Sequence, residues 1–392
     1  MSQTRGTPSE RSAEERKLYI AMELSDKKWK VRLGDGYQNP SEYTIGAGDI
    51  GSFADKVHRA KRKLKLEGGC EALCCYEAGR DGFWLHRCLE AHGVGNLIVD
   101  PASIEVDRRK RRAKTDGIDV KKLFDRLVRY DQGQKDVWRV VAVPSVEQED
   151  ARRLHRELER LQKEATQHKN RIRCLLKLHG VSVGRIGGRG WDEVLASVAS
   201  WDGSELPGQL MAEVVRETQR LEVVKEQIRT IERERSTALA EAAAQGEQSD
   251  TALRQVVQLS QLKGIGEVSA WLFVMEVFGW RTFQNAKKVG SYTGMTGTPY
   301  DSGQSQREQG ISKAGNRRVR RMAVEIAWSW LRFQPNSALS RWYVERFASG
   351  GARMRRVGIV ALARKLLVAL WRYLEKGILP NGAELKAAAA QA

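Results

Sequence analysis

The sequence predicts an α/β N-terminal domain built on a mixed sheet, then long coiled-coil-like helices, then a mostly α-helical C-terminal domain. Three observations predict this. Short apolar runs alternate with amphipathic helical stretches over residues 17–130. Two long, strongly charged stretches follow, with apolar residues spaced by three, four and seven. From residue 258 the pattern is helical again, interrupted by a stretch rich in Gly, Ser and Thr.

Residues 1–16 are polar and read as a disordered tail. Leu18 to Leu33 reads as two short strands, L-Y-I-A-M-E-L and W-K-V-R-L, joined by S-D-K-K; Ser41–Ile45 is a third. Ile50–Leu66 has helical spacing, with Phe53, Val57, Ala60 and Leu64 on one face. Ala72–Tyr76 is strand-like and ends at Glu77, Asp81–His92 reads as a helix capped by Asp81, and Asn96–Val99 is a buried strand. A basic loop leads into a helix from about Thr115 to Tyr130. Strands that meander and then alternate with helices imply a mixed sheet flanked by helices, ending near Val143-Pro144. A helical linker region, 144–257, carries two long amphipathic helices that pair with each other or with a second subunit. The domain 258–380 opens on an apolar helix-like segment, passes through Gly290–Gly310 as ordered loop, and ends on the basic amphipathic helices Asn316–Phe333 and Arg353–Leu374; 381–392 is a tail.

Lys and Arg number 67 against 49 for Asp and Glu, a net charge of +18. That balance favours a polyanionic partner, nucleic acid above all. No apolar run is long enough to span a membrane, and the polar N-terminus has no signal-like core. Five cysteines, an odd number, suit reduced thiols and a cytoplasmic, nucleoid-associated setting. A zinc site from Cys70, Cys74, Cys75, His86, Cys88 and His92 is conceivable, but no C-x-x-C pair exists and Cys74-Cys75 lies in an apolar run, which favours core cysteines.

The densest chemistry lies at 108–119, R-R-K-R-R-A-K-T-D-G-I-D. Arg108, Arg109, Lys110, Arg111, Arg112 and Lys114 attract a phosphate backbone, and Asp116 and Asp119 follow three positions apart, on one helix face. Glu23 on the first strand and Glu77 at the end of a later one complete a candidate set of four carboxylates. Two divalent ions need about this many oxygen ligands, and hard oxygen donors suit Mg2+ better than Zn2+. The plainer reading of Asp116 and Asp119 is acids placed favourably at a helix N-terminus.

Two further patterns lie in the last domain. L-K-G-I-G at 262–266 resembles the hairpin of a helix-hairpin-helix, so Lys263, Gly264 and Gly266 are candidate phosphate contacts. Residues 292–321 place Ser302 before Gly303, with Arg307, Lys313, Asn316, Arg317 and Arg318 nearby. A serine hydroxyl attacks a phosphodiester only where cations stabilise the developing charge and a base takes its proton. Chemistry alone leaves a phosphate-binding loop with turn-forming serines as the simpler alternative.

The phrases C-Y-E-A-G at 75–79 and A-K-T-D-G-I-D at 113–119 resemble the DEDD transposases of the insertion-sequence-110 group, and G-x-x-P-x-x-S-G…G-I-S-K-x-G-N resembles their C-terminal domain. The resemblance implies a resolvase-like RNase H-like fold over most of 17–130. It implies Glu77, Asp116 and Asp119 as metal ligands, and Ser302 as the nucleophile, with Ser291 and Ser305 as local competitors. The family has Asp on the first strand where this chain has Glu23. The expected function is a DNA transposase or recombinase that forms a phosphoserine–DNA intermediate at a site completed by both domains, acts as a homo-oligomer and is guided by a structured non-coding RNA. Two rival readings stand beside it: a metal-dependent nuclease using water, and a non-catalytic nucleic-acid-binding descendant.

Overall fold

The computed structural model describes residues 16–66, 69–104, 116–302 and 305–386, with the backbone alone for 116–118 and 299–309. The chain divides into two units, one ending at Val143 and one starting at Pro144.

In the first unit the strands are β1 (Leu18–Leu24), β2 (Lys28–Gly34) and β3 (Ser41–Gly46). After α1 (Ile50–Leu64) come β4 (Ala72–Glu77), α2 (Trp84–Ala91), β5 (Val94–Val99) and α3 (Asp116–Asp131). The sheet order is β3-β2-β1-β4-β5. β1, β2 and β3 pair antiparallel, and β1–β4 and β4–β5 pair parallel. Period-two alternation divides β1 between two cores. Leu18, Ile20 and Met22 pack with α1 and α2 through Phe53, Val57, Leu85 and Leu89. Tyr19 and Ala21 pack with α3 through Val120, Leu123, Phe124 and Leu127.

α1 starts where expected, with the Asp49 carboxylate accepting the Ser52 N–H at 2.9 Å. α2 departs from the expectation. It begins at Trp84, and Phe83 occupies the cap position with no side-chain hydrogen bond, so Asp81 lies in the preceding turn and caps nothing.

The second unit opens with α4 (Val146–Asp150), closed by a reciprocal Ser145–Gln148 capping box. Then come α5 (Arg153–Lys177), α6 (Trp191–Ser197) and α7 (Gly208–Gln245). The two long helices pair with each other within one chain: Leu158, Leu161, Ile172 and Leu176 of α5 are buried with Val214, Leu221, Val224 and Ile231 of α7. α8 (Thr251–Ser260) and α9 (Glu267–Phe273) follow, and α9 runs into a π-helical turn, Val274–Phe278. Next are α10 (Ala286–Tyr292), the antiparallel pair β6 (Gly297–Ser302) and β7 (Ser305–Ile311), α11 (Arg317–Phe333), α12 (Ala338–Tyr343) and α13 (Ala352–Lys376). A single core of α8, α9, α11 and α13, with Phe273, Trp330, Leu366 and Leu370 at its centre, holds them together. The β6–β7 pair replaces the loops expected over Gly290–Gly310. Its residues are mostly polar and pair through the backbone, so no apolar alternation marks them in the sequence.

Candidate active site

The parallel register of β1 on β4 brings two predicted acids side by side. Met22 lies opposite Tyr76, the last pair before the strands end. Glu23 and Glu77 come next in step. Alternation puts both on the α3 face of the sheet, beyond Ala21 and Cys75, which are buried against α3. Both acids are half-buried. Across β1's other edge Glu23 faces Lys30, and Glu77 pairs with Val99. Cys75 lies fully buried beneath them; burial pushes its thiol well up, and the nearby Cys74 and Glu77 add to the shift.

α3 crosses this same face, and its first residue is Asp116. Asp119 stands one turn before the buried Leu123, 22% exposed, with its carboxylate 3.7 Å from the Lys122 ammonium. The side chain of Asp116 lies outside the described residues. Among the described residues, no three His, Cys, Asp or Glu side chains form a cluster tight enough to hold a metal. The donor chemistry is nevertheless all hard oxygen, on elements that converge on one end of the sheet. Asp26, the other acid near the end of β1, is taken up by an ion pair with Arg80. Cys74 is buried, His86 is bonded to Asn96 and His92 contacts Cys88, so these groups are dispersed. Arg108, Arg109, Lys110, Arg111, Arg112 and Lys114 lie outside the described residues.

The L-K-G-I-G segment is the turn between α8 and α9. Gly264 has φ of +84°, and a Cβ there would come 3.3 Å from the Ser329 carbonyl of α11. The Ser329 hydroxyl donates to the Gly264 carbonyl at 2.8 Å, and the Lys263 ammonium pairs with Glu384. Gly266 caps α9 with its backbone alone. The demand for glycine at 264 is therefore met by packing against α11.

Ser302 is the last residue of β6 and pairs with Ser305, the first of β7. Six residues of β6 carry it about 17 Å from the base of the hairpin at Gly297. Ser291, the third candidate, lies in α10. The side chains of Ser302 and Arg307 lie outside the described residues, whereas the base is described in full and is tightly built. The Lys313 N–H donates to the Gly294 carbonyl at 2.9 Å, and the Asn316 N–H to the Tyr292 carbonyl at 3.0 Å. Arg320 Nη1 donates to the carbonyls of Thr293 at 2.9 Å and Lys313 at 3.0 Å. Gly315 comes so close to the chain that a Cβ would sit 2.3 Å from the Tyr292 carbonyl.

Beneath this base lies a buried carboxylate that reading the sequence did not find. Glu276, 1% exposed, sits in the π-helical turn after α9. His155 Nε2 donates to Oε1 at 2.8 Å, and Arg156 donates to both oxygens at 2.7 and 3.0 Å. Asn316 Nδ2 donates to Oε2 at 3.1 Å. The Asn316 side-chain oxygen meanwhile caps α11, accepting the N–H groups of Arg318 and Val319. Tyr292 and Trp280 both donate to the Glu276 backbone carbonyl. Burial alone would raise the Glu276 carboxyl, but the His155 and Arg156 hydrogen bonds overcome it and hold the group far below the usual carboxylate range. One acid therefore ties the long helix α5 to the base of the serine hairpin. A lone Glu inside V-S-A-W-L-F-V-M-E-V-F is the signal that could have revealed it, since unpaired acids are almost never buried.

Of the cations predicted to contact nucleic acid, Arg318 donates to Glu159 of α5 at 2.8 Å, while Arg317 and Lys313 are exposed. Asn316 spends its side chain within the fold.

Residues 257–342, from α8 to α12, match the Transposase IS116/IS110/IS902 family. The chain is 39% identical over 375 residues to a protein of Sinorhizobium fredii named for a transposase, y4rJ, covering 94% of each chain. It is 26% identical to the transposase for insertion sequence element IS1111A of Coxiella burnetii, over 83% of each. Identity to the transposase for insertion sequence element IS1328 of Yersinia enterocolitica is 28%, over 57% of this chain and 62% of that one.

Proposed function

Because the chain belongs to the IS116/IS110/IS902 transposase family, we propose that it cuts and rejoins DNA through a serine nucleophile. The observation that carries this reading is the convergence of Glu23 and Glu77, in step on adjacent parallel strands, under the helix that begins at Asp116. The strand order β3-β2-β1-β4-β5, antiparallel and then parallel, supports an RNase H-like reading of the first unit.

In the proposed reaction the Ser302 Oγ attacks phosphorus, forming a P–O bond to serine. The bond to the leaving deoxyribose oxygen breaks, and that oxygen ends as a free hydroxyl. The serine proton passes to a base. A hydroxyl from the second strand then attacks the phosphoserine, restoring a phosphodiester and releasing Ser302. Glu23, Glu77, Asp116 and Asp119 would hold two Mg2+ ions, which when bound supply charge stabilisation at the phosphate. A tightly braced hairpin base suits this role, because misplacing a nucleophile by about 1 Å can cost on the order of 100-fold in rate. The net charge of +18 supports a polyanionic partner. Guidance by a structured RNA and assembly into a homo-oligomer are the parts of the proposal that rest on family likeness alone. No helix among the described residues is long and apolar enough to cross a membrane.

The test is a denaturing gel of the full chain incubated with element-end DNA, Mg2+ and the flanking transcript. The expected result is a protein–DNA adduct that Ser302→Ala abolishes and Ser305→Ala retains. Strand cleavage at the wild-type rate by Ser302→Ala would replace this reading with a water-using nuclease. No cleavage and no metal binding by the wild type would leave a nucleic-acid-binding descendant.

A further inference from the structure

A groove of about 1170 Å³ runs along one face of α13, walled by α10 and by the base of the β6–β7 hairpin. It exceeds the roughly 300–1,000 Å³ of a pocket for one small ligand. Six cations line it: Lys287, Arg353, Arg356, Arg364, Lys365 and Arg372. Among the described residues no Asp or Glu lines it, and none of the six forms an ion pair with a carboxylate. The neighbouring helix α11 differs, since its Arg318 and Arg321 share Glu159.

Between the cations the groove is apolar. Met295 and Ile311 come from the hairpin side, and Val357, Val360 and Val368 from α13. Trp342 of α12 also lines it, with the Lys365 ammonium 4.7 Å from its ring centroid. From Arg353 to Arg372 the face extends about 28 Å. The arginines also sit at an energetic cost. Arg353 lies in the first turn, and Arg356 starts the second, of a helix with no acid in that first turn and no side-chain cap, where cations oppose the helix dipole. Gly290 leaves room for Arg364, whose Nε would lie 3.0 Å from a Cβ at that position.

We infer that this groove binds a single, unpaired DNA strand. The inference rests on the reading of Ser302 as the residue that attacks DNA, because the groove's wall is the base of the hairpin that carries it. A cationic rim with an apolar floor and an indole suits a strand whose phosphates meet the arginines while its bases lie against the floor. A duplex keeps its bases stacked inside and would leave that floor uncovered. The occupant is the strand that flanks the scissile phosphate, opened by the reaction.

The test measures binding of the full-length chain, in a Ser302→Ala background, to an oligo(dT), to a duplex of equal length and to an oligo(rU), across a salt series. The groove variant is Arg353→Ala with Arg356→Ala; the control is Arg185→Ala with Arg189→Ala, two exposed arginines of the loop before α6. Each phosphate contact on a single strand contributes about 0.7 to the salt slope, so two lost contacts flatten it by about 1.4 and weaken binding about 25-fold at 0.1 M salt. The groove variant should show that loss for oligo(dT), with thermal stability equal to or above the parent. Equal loss in the control, equal loss for the duplex, or tighter binding of oligo(rU) than oligo(dT) would overturn the assignment. The adduct assay with intact Ser302 separates the two readings. An adduct with no groove effect sinks the groove alone, and a groove effect with no adduct sinks the nucleophile alone.

Discussion

Replacing Glu276 by Gln changes one atom and should loosen the serine hairpin. Gln keeps the volume and one acceptor, so His155 and Arg156 can still donate to Oε1. Its amide nitrogen, however, would replace the oxygen that accepts from Asn316 Nδ2 at 3.1 Å and from Arg156 Nη2 at 3.0 Å, setting donors against a donor. Asn316 cannot simply flip, because its oxygen caps α11. Either the cap is lost, at about 1 kcal/mol, or a buried donor goes unpaired, at about 1–3 kcal/mol. Losing the charge opposite Arg156 adds little, since that side chain is 41% exposed and can turn to water. The cost is therefore about 1–3 kcal/mol against a typical total of about 5–15 kcal/mol. Urea denaturation should show that loss. Amide exchange should quicken most at Lys313 and Asn316, whose N–H groups close the hairpin base. A change below about 1 kcal/mol, or unchanged protection at those two amides, would refute the account of Glu276 as the brace.

Three other predictions follow from the same contacts. Glu276 and Asp35 are both held below the ordinary carboxylate range: burial opposes this, but for Asp35 the N–H groups of Gln38 and Tyr37 and the Arg16 guanidinium prevail. A carboxyl depressed by folding contributes stability above its unfolded pKa, near 4, and that contribution is lost as pH falls toward the folded value. Stability should therefore fall below about pH 4, and Glu276→Gln should give a shallower acid limb in denaturation measured from pH 6 to pH 2. Gly315→Ala places a methyl 2.3 Å from the Tyr292 carbonyl and should cost at least about 1–3 kcal/mol, read by thermal melting. Glu77→Gln should lower Mg2+-dependent cleavage by more than about 100-fold with the melting temperature little changed, whereas Glu23→Asp should retain cleavage.

The α/β unit was legible because its strands and helices differ in period, and because β1 and β4 carry acids at or next to their ends, which the register then set in step. The cap at Asp81 misled because chemistry at a cap position does not fix where a helix starts; the turn at 79–83 delays α2 to Trp84. The β6–β7 hairpin was hidden, since its strands gain order from each other and from the braced base, with no apolar face to write into the sequence. Glu276 and the arginines of α13 were visible as residues but not as sites. His155 and Arg156 lie more than 100 residues from Glu276, and the groove walls that face α13 come from α10 and the hairpin base.

The central claim is that Ser302 takes the phosphate. Proteolysis of the trapped adduct, followed by mass spectrometry of the nucleotide-bearing peptide, tests it most directly. The account predicts a single modified residue, Ser302, at the tip of the hairpin. A modification at Ser305 or Ser291, or cleaved DNA with no modified peptide, would contradict it.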